Sequence, residues 1–170
     1  MEIILKIVSV CALVAVCAAI AHIIDVIRRK KIDPAIGKIS FRESMDLVQL
    51  PIVTFMNNDR KLNFLLDTGA SYSSINEAAL SGLAYEETGE MGYGIGMEGV
   101  VREDRGYIKM LISYRGKGYD DEFQVVDLSS AFGAIKGEYG VTLHGILSNT
   151  FFQKYRYVLD FDELVAYSMV

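Results

Sequence analysis

Between Ile3 and Ile24 the only formal charge is Lys6, and no soluble fold readily covers so uniform an apolar run. As a helix, about 22 residues reach ~33 Å, the thickness of a bilayer's hydrocarbon core. Residues 1–27 are therefore expected to form a transmembrane anchor. A cleaved signal peptide is the main alternative, since Ala18, Ala19 and Ala21 are small, but its apolar region would be unusually long. Arg28-Arg29-Lys30-Lys31 directly follow the span. That charge asymmetry predicts a single-pass membrane protein with a cytoplasmic C-terminal domain. The same cations could also hold the helix end among anionic headgroups in either orientation.

Beyond the span the chain is short and uneven. Residues 28–46 are polar, contain Pro34 and Gly37, and lack an apolar period, so they read as a juxtamembrane linker. The folded domain is expected over 47–170, and its pattern is β-rich. Val48 to Met56 reads as an apolar strand, with Pro51 arguing for an edge position. Asn57-Asn58-Asp59 reads as a turn and Lys61 to Leu66 as a second strand. Asn76 is placed to cap a short helix, Glu77 to Leu80. Strands are expected from Val100 to Tyr114 and from Tyr119 to Val126. Leu143 to Leu147 reads as a strand, Asn149 to Lys154 as a helical turn, and Tyr155 to Tyr167 as a last hairpin around Asp160 to Glu163.

Several function classes drop out on composition. The chain has 17 Lys and Arg against 22 Asp and Glu. Setting aside Lys6, Glu2 and Asp25 leaves 16 against 20 from residue 28 onward, a net charge of −4, which gives no footprint for nucleic acid. Cys11 and Cys17 both lie in the apolar span, so the domain holds no thiol for a disulfide or a metal cluster. His22 is also in the span and His144 stands alone beside an apolar run, so neither a metal site nor a Ser-His-Asp triad is assembled. His144 reads as a structural histidine. Gly94-Ile95-Gly96-Met97-Glu98-Gly99 matches a dinucleotide fingerprint in letters, but no helix pattern comes after it. No cofactor and no metal are expected. Asp120-Asp121-Glu122 and Asp160 to Glu163 read as solvated charge.

Leu65-Leu66-Asp67-Thr68-Gly69-Ala70 sets an acid and a hydroxyl at the end of an apolar strand. Taken alone, Asp-Thr-Gly is a common turn. Its surroundings add Ser71 to Ile75 running into a short helix. They also add a cluster of Gly89, Gly92, Gly94, Gly96 and Gly99 that reads as a mobile hairpin or loop, and Gly145-Ile146-Leu147 before another short helix. Over about residues 47–167 this arrangement resembles the retropepsin-like aspartic proteases.

The resemblance implies an all-β fold: a closed β-barrel or sandwich protomer with one or two short helices, placed after the transmembrane helix. It implies that Asp67 is catalytic, that Thr68 braces the loop across a dimer axis, and that Gly69 permits the turn. Ala70 would remove a hydrogen bond that stabilises the ionised acid, favouring activity nearer neutral pH. Gly92, Tyr93, Gly94, Ile95, Gly96 and Met97 would form a flap over an extended polypeptide substrate, although Tyr93 and Met97 could equally pack in the core. Gly145-Ile146-Leu147 would pack beside the catalytic loop, with Ser148 standing where the family usually has glycine.

Carboxylate-only hydrolysis needs one acid as base and another as proton donor. At contact distance the two share a proton. No second Asp-Thr-Gly or Asp-Ser-Gly occurs in the chain, so a homodimer would have to supply the partner acid. The alternative function is a noncatalytic, membrane-tethered peptide-binding or regulatory module on the same fold, and a monomeric tethered scaffold is a third reading.

Overall fold

The structure is a computed structural model that describes residues 16–18, 20, 38–90, 93–95, 101–103 and 106–168. The chain divides into two units, Met1–Ile36 and Gly37–Val170. In the first, residues 16–18 and 20 are helical and exposed. Among the described residues no helix is long and apolar enough to cross a membrane. Apart from those four residues, the expected span from Ile3 to Ile24 lies outside the described part.

The second unit runs β1 (Ile39–Ser40), α1 (Arg42–Val48), β2 (Ile52–Asn57), β3 (Arg60–Leu66), β4 (Ser74–Asn76), a 3-10 turn at Glu77–Ala79, and β5 (Glu86–Glu87). It continues with β6 (Tyr93–Ile95), β7 (Val101–Glu103), β8 (Tyr107–Tyr114), β9 (Lys117–Val126) and α2 (Ser129–Tyr139). β10 (Gly145–Leu147), α3 (Asn149–Lys154), β11 (Tyr157–Asp160) and β12 (Val165–Ser168) complete it. The order β2-β3-β10-β4-β9-β8 closes on itself through Met56 opposite Ser113, giving a six-stranded barrel with β5 added to β8. Two pairings, β3 with β10 and β4 with β9, are parallel. The others in the barrel are antiparallel.

Alternation builds the barrel. In β8, Ile108, Met110 and Ile112 are buried while Lys109 and Leu111 are exposed, the period of two that turns one strand face inward. β8 meets β9 through Arg115 and Gly116, both with positive φ, as a two-residue hairpin turn matched to strand twist requires. The interior is aromatic. Phe55 packs against Phe64, Tyr114, Tyr119 and Phe151, and the buried hydroxyls of Tyr119 and Tyr157 share a hydrogen bond of 2.6 Å. A second small core of Val48, Ile52, Phe132 and Leu143 lies under α2. β1, β12 and β11 form a separate antiparallel sheet, with Ile39 opposite Ala166.

Several expectations change. The packed unit begins before Leu47, because Ile39 and Phe41 are both buried in the main core and α1 occupies part of the expected linker. Val48 to Pro51 is not strand. It is the end of α1 and a turn, with Gln49 in the left-handed region. Asn76 does not cap the turn after it; its Oδ1 accepts the Leu128 amide at 3.1 Å instead. Three α-helices are present among the described residues of this unit, rather than one or two.

Candidate active site

Asp67 is the first residue beyond β3, and the neighbouring strand fixes it. β10 runs parallel to β3 with Leu147 opposite Leu66, and the ladder continues one step as the Asp67 amide donates to the Leu147 carbonyl at 2.9 Å. On its other edge β10 pairs with β4, Gly145 opposite Ile75. The chain thus leaves β3 on one side of β10 and returns through β4 on the other, so residues 67–73 straddle the end of that strand. The Asn149 amide donates to the Ala70 carbonyl at 3.0 Å and the Gln124 amide to the Ser73 carbonyl at 2.9 Å. These bonds anchor the loop along its length.

Such close strand insertion depends on Gly145. A Cβ there would lie 2.3 Å from the Ser74 carbonyl oxygen and 2.6 Å from a ring carbon of Phe64, closer than real Cβ contacts allow. Gly69 lies in a turn at residues 68–69, where the Ala70 amide donates to the Asp67 carbonyl at 3.3 Å. It does not have positive φ; its amide donates to Asp67 Oδ1 at 2.8 Å, and a Cβ at 69 would stand 3.2 Å from that oxygen. The glycine therefore leaves room around an acid whose orientation its own amide holds.

Asp67 is half-buried, while Thr68 and Gly69 are exposed. Thr68 borders an open concavity of about 530 Å³ shared with Asn149, Phe152, Arg156 and Leu159. A carboxylate at the rim of an accessible loop can reach a substrate or a second carboxylate. Beside it Tyr72 is 57% exposed and meets the Tyr107 ring edge-on at 6.3 Å.

The glycine-rich segment contributes an antiparallel ladder in which Tyr93 pairs with Glu103, Gly94 with Arg102 and Ile95 with Val101. Its hairpin character agrees with the sequence reading. Gly92, Gly96 and Met97 lie outside the described residues.

Behind the loop sits a group of polar residues that the sequence reading did not assemble. Asp120 and Glu122 are exposed as expected, but Asp121 is only 8% exposed and is not solvated charge. Its Oδ2 accepts the Ser73 hydroxyl at 3.1 Å, and its Oδ1 lies 3.2 Å from Lys154 Nζ. Burial pushes the Asp121 carboxyl above its ordinary value, against the opposing pull of Lys154 and Ser73. Ser148 is fully buried. Its hydroxyl reaches Ser73 Oγ at 3.3 Å and Thr150 Oγ1 at 2.7 Å, and its amide donates to Ser73 Oγ at 3.3 Å. A serine therefore fits where glycine was expected, because both neighbours offer it hydrogen bonds. His144 is structural, its Nδ1 accepting the Asn63 amide at 3.0 Å.

No family model matches the chain. No curated protein matches it either. Three of the solved structures it resembles are retroviral or retropepsin-like proteins. An inhibitor complex of EIAV protease is 27% identical, with 64% of this chain and 90% of that one covered at a TM-score of 0.47. The retroviral protease-like domain of Ddi1 from Leishmania major is 14% identical, with coverages of 70% and 92% and a TM-score of 0.43. A retropepsin-like aspartic protease from Rickettsia conorii is 15% identical, with coverages of 78% and 91% and a TM-score of 0.45.

Proposed function

We propose that the chain is a protomer of a retropepsin-type aspartic endopeptidase, whose two Asp67 residues meet across a homodimer and hydrolyse a peptide bond in an extended polypeptide. The observation that carries this reading is the Asp67 loop. An acid at the end of a barrel strand is oriented by the Gly69 amide and tied by its own amide to the parallel strand β10.

In such a dyad one carboxylate, ionised, takes a proton from a water molecule as that water attacks the substrate carbonyl. The other, protonated, donates to the carbonyl oxygen, and the proton later passes to the departing amine. Two charges at contact distance cannot both persist, which keeps one proton on the pair. Exposure of Thr68 and Gly69 supports this arrangement, since a buried loop could not meet its copy. The concavity beside Thr68 offers shape for that approach. Gly92 to Met97 would cover the bound segment as a flap, and backbone pairing to an extended peptide would supply much of the affinity.

The N-terminal span would tether the protomers to one membrane, with the domain on the cytoplasmic side, and confinement in a plane raises their effective concentration. The reading is tested with Asp67→Asn. The variant should keep the fold and self-association while peptide cleavage falls by at least about a thousandfold, the scale of losing an essential acid-base group. Equal cleavage by wild type and variant would overturn the reading. Tight binding of peptides that neither protein cuts would instead favour the noncatalytic peptide-binding module.

A further inference from the structure

Three backbone bonds hold the Asp67 loop to the barrel: Asp67 to Leu147, Asn149 to Ala70, and Gln124 to Ser73. A fourth attachment uses side chains, and it contains a carboxyl group. Ser73 Oγ lies within reach of Asp121 Oδ2, Ser148 Oγ and the Ser148 amide. A hydroxyl has one proton to give and two lone pairs to offer. While Asp121 is a carboxylate it can only accept, so the Ser73 proton points to it and the Ser73 oxygen faces Ser148. The resulting bond is charge-assisted and correspondingly strong. A neutral Asp121 can donate instead, which turns the Ser73 proton toward Ser148 and reverses the hydroxyl order through to Thr150.

We propose that Asp121, which lies 3.2 Å from Lys154 Nζ, is a positioning residue for the catalytic loop, fixing Ser73 and through it the stretch that carries Asp67. This rests on the peptidase reading for its kinetic consequence and on the loop geometry alone for its structural one. The surroundings of Asp121 are specific. Lys154 and the adjacent Tyr155 face it from α3 and the residue beyond, the latter bonding the Asp120 carbonyl at 2.6 Å. Ser73 faces it from the loop, and apolar Met110 opposes it on β8.

The pH behaviour separates this role from ordinary stabilisation. The Asp121 pKa is raised in the fold mainly by burial. The folded state therefore binds the proton more readily than the unfolded chain. This group's contribution to stability increases as pH falls through its folded pKa, and diminishes as pH rises. Protonation should loosen the loop while leaving the fold intact, so activity and stability should move in opposite directions.

The test uses the full-length chain in detergent micelles, comparing wild type with Asp121→Asn, Lys154→Met, Lys154→Arg and Ser73→Ala. Amide exchange is followed at Gly69 and Ser148 in the loop region and at Ile112 in the barrel, alongside kcat and KM for peptide cleavage across pH. In Asp121→Asn at neutral pH, protection at Gly69 and Ser148 should fall about tenfold while Ile112 is unchanged. The kcat should fall about tenfold with KM within about twofold. The acid limb of the wild-type kcat profile that Asp121 supplies should vanish. Lys154→Arg should restore what Lys154→Met loses, and Ser73→Ala should reproduce the loop loosening if Asp121→Asn fails to fold.

Loop protection equal to wild type in the variants, or loss spread evenly to Ile112, overturns the proposal. If wild type cleaves and Asp121→Asn matches its kcat and pH profile, the positioning role falls and the peptidase reading stands. If no peptide is cleaved yet loop protection drops selectively, the positioning role stands and the peptidase reading falls.

Discussion

At single positions the fold tolerates little around β10. Gly145 has a backbone oxygen and the Phe64 ring where a Cβ would go, and Phe64 is itself fully buried. Gly145→Ala should therefore cost about 3 kcal/mol, the upper range for overpacking a filled core, read as a lower denaturant midpoint with an unchanged slope. His144 carries a pH prediction. Burial of its ring, with the charge of Arg60 adding to it, holds its pKa below the ordinary histidine value. The Asn63 amide also points at Nδ1, which can accept only when unprotonated. The stability this provides is present above the ordinary histidine pKa and is lost as pH falls through the depressed folded value. Thermal midpoints measured from neutral to acid pH should decline in wild type, and His144→Asn should flatten that part of the decline. Asp67 was legible in the sequence because its neighbours form a compact pattern. Asp121 was not, although Tyr119, Asp121, Phe123 and Val125 alternate along one strand and all four are buried. Reading residues 120–122 as a charge run obscured the period of two that places the middle acid indoors.

Among the elements, the longer strands were visible and the small accessory pieces were not. β3, β9 and the β11–β12 hairpin emerge directly from alternation and turn residues. β1 has two residues and α1 seven, too few to establish a period; β1 depends on pairing with β12, and α1 on contacts with β2, where the Ser44 hydroxyl bonds the Ile52 backbone. α2 escaped for another reason. Gly133 and Gly137 lie inside it, and each glycine weakens a helix by about 1 kcal/mol relative to alanine. Its formation depends on Phe132 joining Val48, Ile52 and Leu143, a tertiary contact with no local signature. The N-terminal boundary can be tested by truncation. A fragment starting at Leu47 lacks Ile39 and Phe41, both 1% exposed in the complete domain, and should lose about 2–3 kcal/mol for each. A fragment starting at Gly37 should melt cooperatively, whereas the shorter one should show a much lower midpoint or none; equal melting would show that β1 is dispensable.

The proposed active molecule is a pair, so its activity should depend on how protomers combine. Mixing equal amounts of wild type and Asp67→Asn, with time to exchange, should leave about a quarter of the wild-type dimer activity, because random pairing makes only that share with two aspartates. Activity tracking the wild-type fraction, at half, would mean that each chain acts alone. The same architecture governs when an active loop can first exist. Ile39 pairs with Ala166, and the Asp67 amide bonds to Leu147, so the earliest parts of the domain wait for the last. Contacts this distant along the chain form late in folding. During synthesis the Asp67 segment leaves the ribosome well before the strand that shapes it. A nascent chain therefore carries an incomplete Asp67 loop until Leu147 has emerged.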